Sequence, residues 1–284
     1  MWASLREYHR PATIGTALKL LARSAPRTVP LAGGAWLVAQ RNPAIEAVVD
    51  LSALDLDFVK TRGRRVHLGA TTTLQTLATH PTVHTLASGL LAKAAQRSAP
   101  YALRNLATLG GTLVVGEPTA ETALALLVLE ARIVIRNSQR QTVEAEVFLE
   151  NPPEYLSPSG LIVEIAIPVL EAETGTALAE VSPTPHDRPI VNAAALVSLQ
   201  GGTIRTARLA LGGVAPRPIR LLSVDATLRG KPLDDERLTE VVSLVREVIS
   251  PPTDGRASAE YRRAMAGVVI TRALREAWEK VGKG

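Results

Sequence analysis

Two pairs of adjacent glycines, each set between apolar stretches, constrain this chain more than any other feature. The first pair lies in Leu31-Ala32-Gly33-Gly34-Ala35-Trp36 and the second in Ala107-Thr108-Leu109-Gly110-Gly111-Thr112. Because glycine has no Cβ, such pairs let neighbouring backbone N–H groups converge into a nest that suits a phosphate. Two loops of this kind can hold one diphosphate. The alternative interpretation is that each pair is an ordinary turn, and neither loop fits the Walker or the Gly-x-Gly-x-x-Gly pattern.

Residue periodicity predicts alternating strands and helices in the first part of the chain. Short apolar runs at 44–51, 65–70 and 161–168 predict strands, and segments with helical spacing lie between them. The stretch 101–112 follows neither period, so it is predicted to be irregular.

The last third of the chain has a different character. The segment before it, 171–176, has only small and polar residues and no apolar pattern, so we predict the domain boundary there. Apolar alternation predicts two strands joined by a hairpin turn at Gly201-Gly202. The strand patterns are at 190–199 and 204–211, and helical patterns follow at 218–228, 234–249 and 258–280. We therefore expect a small antiparallel sheet with helices packed against it.

The composition excludes several classes of protein. Hydrophobic residues make up 46% of the 284 residues, so the chain can form a real core and is not disordered. Lys and Arg exceed Asp and Glu by 32 to 27, a net charge of +5, but these residues are spread along the chain and accompany no nucleic-acid-binding motif. Aromatic residues, at 3%, are also too scarce for a surface that stacks single-stranded bases. No nucleic-acid partner is predicted.

Cysteine is absent, which excludes a disulfide framework, a thiolate nucleophile and an iron–sulfur cluster held by this chain. The N-terminal sequence has no apolar signal core, and no apolar run approaches the roughly 20 residues of a membrane span. A cytoplasmic protein is expected.

His80 and His84 have the spacing of helical zinc ligands, but a third ligand is missing, so we interpret them as surface histidines and predict no metal site.

The glycine loops carry a resemblance to a known family, the flavin-binding medium subunits of molybdenum hydroxylases such as carbon monoxide dehydrogenase and xanthine dehydrogenase. Residues 32–36 resemble the family's Ala-Gly-Gly-x-Ser/Thr loop, and residues 104–112 resemble its Arg-Asn-x-Ala-Thr-Ile-Gly-Gly-Asn motif. Further segments similar to family signatures occur in family order at 68–72, 212–216 and 258–263. The resemblance therefore covers nearly the whole chain.

This resemblance implies an α+β fold and an oxidoreductase subunit. Residues 1–55 and 56–173 would form two α/β subdomains that clamp FAD, and residues 174–284 a C-terminal domain with a small antiparallel sheet packed on helices. The chain would pass electrons from the 2Fe–2S clusters of a small partner subunit through FAD to an external acceptor. A large partner subunit with a molybdenum cofactor would oxidise the substrate. The absence of Cys agrees with clusters that lie on another chain. Neither the substrate nor the acceptor is specified by this sequence.

The resemblance also assigns FAD contacts to particular residues. The backbone of the two loops holds the diphosphate, and Glu121, where the family has Asp, offers acceptors to the ribose hydroxyls. It assigns no catalytic residue. The cofactor-binding residues predicted in this way are Leu31, Ala32, Gly33, Gly34, Ala35, Trp36, Ala107, Thr108, Gly110, Gly111, Thr112 and Glu121.

Besides Glu121, three residues depart from the family pattern at this site. Trp36 stands where the family offers a hydroxyl to phosphate, and Thr112 replaces Asn. Glu117 occupies a serine-or-aspartate position, where its carboxylate repels a diphosphate unless it points away. Two expectations compete: an FAD site kept by the four glycines, and a docking subunit of the same kind of complex that binds flavin weakly or has lost it.

Overall fold

The computed structural model describes residues 4–170, 174–184 and 187–281, and these residues divide into two compact units. The first unit comprises the described residues up to 77 together with 99–115 and 131–168. The second comprises 78–98, 116–130 and the described residues from 169 onward. Residues 171–173, which begin the predicted boundary segment, lie outside the described residues. The domain limits at 55 and 173 stay a prediction.

The strands and helices are numbered in chain order. The strands are β1 (Glu7–His9), β2 (Thr28–Leu31), β3 (Ala47–Asp50), β4 (Val59–Arg62), β5 (Arg65–Gly69), β6 (Arg132–Arg136), β7 (Arg140–Glu144), β8 (Leu161–Pro168), β9 (Thr174–Val181), β10 (Val191–Gln200), β11 (Thr203–Gly212) and β12 (Ile219–Arg220). The helices are α1 (Ile14–Leu21), α2 (Leu37–Gln40), α3 (Leu74–Thr79), α4 (Pro81–Thr85), α5 (Leu90–Arg97), α6 (Tyr101–Arg104), α7 (Leu109–Val115), α8 (Glu121–Val128), α9 (Ala145–Glu150), α10 (Pro152–Leu156), α11 (Leu222–Leu228), α12 (Asp235–Val248) and α13 (Ala259–Val281).

The first unit contains two sheets. A parallel sheet has the order β1-β3-β2, and its central strand β3 is buried along its whole length, as expected for a parallel strand with both faces covered. The other sheet is antiparallel throughout, in the order β4-β5-β8-β6-β7. Its central strand β8 is a nearly continuous apolar run, interrupted by Glu164. Helix α1 begins at Thr13, whose hydroxyl accepts a hydrogen bond from Thr16 N, and buries Ala17 and Leu21.

The second unit is built on an antiparallel sheet in the order β12-β11-β10-β9. The predicted hairpin is confirmed: Gly201 and Gly202 join β10 to β11, and both have positive φ. Helix α13 lies so close to β9 that a Cβ on Gly175 would be 2.0 Å from the carbonyl oxygen of Ala277. The predicted α+β class, with a small antiparallel sheet packed on helices, is confirmed.

One buried arginine, paired with a half-exposed carboxylate, ties the start of α13 to the sheet of the second unit. Arg262 is 4% exposed, and its Nη1 donates to the carbonyl oxygens of Ile190 and Gly213 at 2.7 and 3.1 Å. Its Nη2 donates to both carboxylate oxygens of Asp254 at 2.8 Å. The N–H of Arg256 and the Arg262 guanidinium, both bonded to this carboxylate, hold the pKa of Asp254 down to about 2.

One sequence-based expectation was wrong. The stretch 101–112 is not irregular, because it contains α6 and the start of α7. Both helices are short, four and seven residues, so neither offers enough turns for a helical period to show in the sequence. Among the residues that the structure describes, no helix is long and apolar enough to cross a membrane.

Candidate functional site

The first glycine loop leaves a row of backbone donors free. It connects β2 to α2, and Gly34 adopts φ +75°, a left-handed conformation that glycine tolerates well. Within the described residues, the N–H groups of Gly33, Gly34, Ala35 and Trp36 donate to no protein acceptor. The first three of these residues are half-buried. Since a shielded N–H without a partner is rare, this row indicates a site for an anion with several acceptor oxygens.

The two glycine loops contact each other within the first unit. A Cβ on Gly33 would be 1.4 Å from the carbonyl oxygen of Leu106 and 2.5 Å from its carbonyl carbon. Only glycine permits this approach of one backbone to another. The loops that the sequence singled out are thus neighbours, although they are more than 70 residues apart in the sequence.

The second loop differs from the first, because most of its donors already have partners in the protein. Leu109 N donates to Thr72 O at 3.0 Å, and Gly110 N donates to Ala70 O at 2.8 Å. A Cβ on Gly110 would also be 2.8 Å from Ala70 O. Gly110 therefore serves the close packing of α7 against the segment that follows β5.

Thr108, in the second loop, accepts hydrogen bonds from the first turn of α7. It is 5% exposed, and its hydroxyl accepts a hydrogen bond from Gly111 N at 3.2 Å. Thr112 N donates to Thr108 O at 2.9 Å, and the Thr112 hydroxyl donates to Leu109 O at 2.8 Å. The predicted roles of Thr108, Gly110, Gly111 and Thr112 toward FAD stay predictions.

Sequence reasoning missed the groups that hold the second loop. Ala70 and Thr72 supply the carbonyl acceptors, and Leu106 supplies the carbonyl that meets Gly33. Ala70 and Thr72 lie in the segment 68–72, which the sequence marks only by its similarity to a family signature. Backbone acceptors leave no trace in side-chain identity, so no signal in the sequence could have assigned these roles.

Glu121 and Glu117 belong to the second unit. Glu117 pairs with Arg188 at 3.2 Å, so its carboxylate is partly neutralised. Glu121 is the first residue of α8 and is 7% exposed. Burial raises the pKa of Glu121 to about 7, and nearby Glu180 adds to the rise, while bonds to its own backbone and to Ser98 and the charge of Arg97 oppose it. The predicted role of Glu121 toward the ribose stays a prediction.

The raised pKa of Glu121 makes the stability of this protein depend on pH. Its folded pKa of about 7 lies above the ordinary value of 4.5, so the folded state binds more protons between these values, and stability falls as the pH rises through them. Between pH 5 and pH 8, we expect the free energy of unfolding of the wild type to fall by roughly 2 kcal/mol more than that of Glu121→Gln. Urea unfolding at each pH measures this difference. Glu247→Gln, an exposed position on α12, is the control and should follow wild type. Parallel pH profiles for wild type and Glu121→Gln would contradict the assignment.

The two histidines with zinc-ligand spacing use their ring nitrogens within the chain. His80 Nδ1 accepts from Thr82 N at 3.2 Å, and His84 Nε2 donates to Ala78 O at 2.7 Å. In the part of the chain that the structure describes, no three His, Cys, Asp or Glu side chains are grouped so as to hold a metal ion.

The fold and the first loop together indicate a class of protein: an α+β protein with a glycine loop whose free N–H groups suit an anionic ligand. Comparison with known proteins specifies that class. The family described as the FAD binding domain in molybdopterin dehydrogenase matches residues 3–170, and the CO dehydrogenase flavoprotein C-terminal domain matches residues 178–277. The chain belongs to the family of FAD-binding medium subunits of molybdenum hydroxylase-type dehydrogenases.

Individual relatives match the chain over almost its full length. The carbon monoxide dehydrogenase medium chain of Hydrogenophaga pseudoflava is 30% identical over 280 residues, covering 96% of this chain and 97% of the relative. The glyceraldehyde dehydrogenase medium chain of Sulfolobus acidocaldarius is 29% identical over 275 residues, covering 95% and 97%. The solved structure of carbon monoxide dehydrogenase from Hydrogenophaga pseudoflava superposes with a TM-score of 0.90 at 30% identity, covering 97% of this chain and 98% of that one.

FAD is the cofactor of this family, and the residues of the first loop fit it. The free N–H groups of Gly33, Gly34, Ala35 and Trp36 match a diphosphate, which needs several donors at close range. No carboxylate is among residues 31–36, so this loop presents no repelling charge of its own. The first loop therefore has donors that fit a diphosphate, although Trp36 replaces a hydroxyl.

Proposed function

We propose that this chain is the FAD-carrying electron-transfer subunit of a heteromeric molybdenum hydroxylase. The single observation that carries the proposal is the row of free N–H groups in the first glycine loop. No residue that the structure describes accepts a hydrogen bond from them, so they are available to the diphosphate of FAD. The family match to both parts of the chain supports the same proposal.

The chain's own residues bind and orient the cofactor. Four backbone N–H groups donate to the diphosphate, those of Gly33, Gly34, Ala35 and Trp36. Leu31, the last residue of β2, and Ala32 lead into this row of donors. The second loop forms the other wall, from Ala107 to Thr112, and holds the first loop in place through the contact of Leu106 with Gly33. Bound FAD supplies the redox chemistry, taking up electrons and releasing them to an external acceptor.

Two kinds of partner follow from this proposal. Because the chain has no Cys, 2Fe–2S clusters must be held by another subunit, which passes electrons to the flavin. A third, large subunit with a molybdenum cofactor oxidises the substrate. The name "medium chain" carried by the relatives supports an assembly of several subunits.

A tagged copy of the chain, isolated from its native cell, tests the proposal. Flavin measured by visible absorption, and iron and molybdenum measured by metal analysis, should all accompany the wild-type chain. Iron and molybdenum without flavin, even after incubation with excess FAD and desalting, would favour the docking subunit instead. Flavin without either metal would overturn the proposed partners.

Two matched variants show whether the first loop holds the flavin. Gly34→Ala introduces a Cβ at φ +75°, 3.3 Å from the side-chain ends of Leu31 and Val38, so it strains the loop without a backbone clash. Gly63→Ala introduces the same kind of strain at φ +55° in the β4–β5 turn, with nothing within 4 Å. We expect Gly34→Ala to weaken FAD binding about tenfold, and Gly63→Ala to leave it unchanged. Equal dissociation constants for the two variants would remove the first loop from the site.

A further inference from the structure

The Trp36 side chain forms no hydrogen bond with any residue that the structure describes. It precedes the four-residue helix α2, and its side chain makes no capping bond there. The indole is 46% exposed, and its N–H donates to no acceptor among the described residues. A large apolar ring held half in water at the end of the row of free N–H groups is a surface that a ligand can cover.

Other exposed apolar side chains lie on the segment that this loop contacts. Leu106, whose carbonyl oxygen meets Gly33, has a side chain that is 50% exposed. Leu103 and Tyr101, on α6 just before it, are 45% and 65% exposed. Exposed apolar residues thus occur both in the loop with the free donors and in the segment that contacts it, and this combination suits a ligand that joins a diphosphate to a planar ring.

We infer that Trp36 stacks on a planar ring of the bound dinucleotide. The inference rests on the proposed function and deepens it, because it assigns a positioning role to the residue that departs most from the family loop. Four backbone N–H groups already serve the diphosphate, so the hydroxyl that Trp36 replaces is one donor among several. The indole face adds a stacking surface that a serine at this position lacks.

Stacking and phosphate donation give opposite expectations for the same substitution. If Trp36 only obstructs the diphosphate, Trp36→Ser restores a hydroxyl and tightens FAD binding. If Trp36 stacks, Trp36→Ser loses the ring and weakens binding by about fivefold to 150-fold, the range found when aromatic stacking partners of nucleotide bases are removed. Trp36→Phe should lie between the serine variant and wild type, because a phenyl ring still stacks.

Titration of the flavin-depleted full chain with FAD provides the test. The chain has three tryptophans, so intrinsic fluorescence reports on Trp36 when a second variant serves as control. We expect FAD to quench the wild type and Trp278→Phe strongly, and Trp36→Phe much less. Dissociation constants from equilibrium dialysis give the affinity without relying on fluorescence.

The ring is identified with fragments of the cofactor at saturating concentration. FMN carries the isoalloxazine and ADP carries the adenine, so quenching of Trp36 by one of them names the ring that it covers. Quenching by neither, or a Trp36→Ser variant that binds FAD as tightly as wild type or more tightly, would overturn the stacking role while FAD binding stands. A wild-type chain that binds no FAD in dialysis would instead overturn the proposed function.

Discussion

Gly33→Val should destabilise the first unit by at least about 3 kcal/mol and abolish retention of FAD. The valine Cβ would lie 1.4 Å from the carbonyl oxygen of Leu106, which is far shorter than any non-bonded contact, so one of the two atoms must move. The obstruction is backbone, not the end of a flexible side chain, so the two loops must separate. Overpacking of this kind costs about 1–3 kcal/mol when side chains can yield, and more when they cannot. Chemical denaturation and flavin absorption after desalting measure the two effects.

Gly15→Val is the matched control for this substitution. Gly15 lies in α1 of the same unit, and nothing is within 4 Å of its Cβ position. It should retain flavin and change stability by no more than roughly 0.5 kcal/mol, because valine has a slightly higher helix propensity than glycine. If Gly33→Val unfolds at the same denaturant concentration as this control, the close contact of the two loops is wrong. Loss of flavin in Gly33→Val does not by itself test phosphate binding, because the loop is displaced, and Gly34→Ala separates these effects.

Arg262→Met should destabilise the second unit by about 2–4 kcal/mol, because two carbonyl oxygens lose the charged donor of a buried arginine and each unsatisfied group costs at least about 1 kcal/mol. The guanidinium satisfies two buried carbonyl oxygens, of Ile190 and Gly213, and the carboxylate of Asp254. Methionine fills much of the same volume but donates nothing, so both carbonyls lose their charged donor. The midpoint of urea unfolding measures the change.

A second arginine of α13 provides the control for Arg262→Met. Arg275 pairs with Asp235, and its side chain is 53% exposed. Surface pairs of this kind contribute about 0–1 kcal/mol, so Arg275→Met should leave the unfolding midpoint nearly unchanged. Equal effects of the two substitutions would show that burial of Arg262 does not strengthen its contacts.

Local patterns in the sequence predicted several elements well. The hairpin between β10 and β11 follows from apolar alternation around Gly201-Gly202. The cap of α3 is equally local, because the Thr73 hydroxyl accepts a hydrogen bond from Thr76 N at 3.1 Å. These features depend on residues close together in the chain, so their physical causes are visible in the sequence. The sequence did not predict α6 and α7, because helices of four and seven residues are too short to show a helical period.

The sequence by itself determined the family, the α+β class and the two glycine loops, because glycine spacing, apolar period and turn residues are local properties. Only the tertiary structure decided how the two loops differ. Gly110 has its N–H bonded to Ala70 and its Cα packed against the same residue, whereas the N–H groups of Gly33 and Gly34 remain free. The two loops look alike as sequence, but a hydrogen-bond donor is available to a ligand only when no acceptor from elsewhere in the chain has reached it, and that depends on packing.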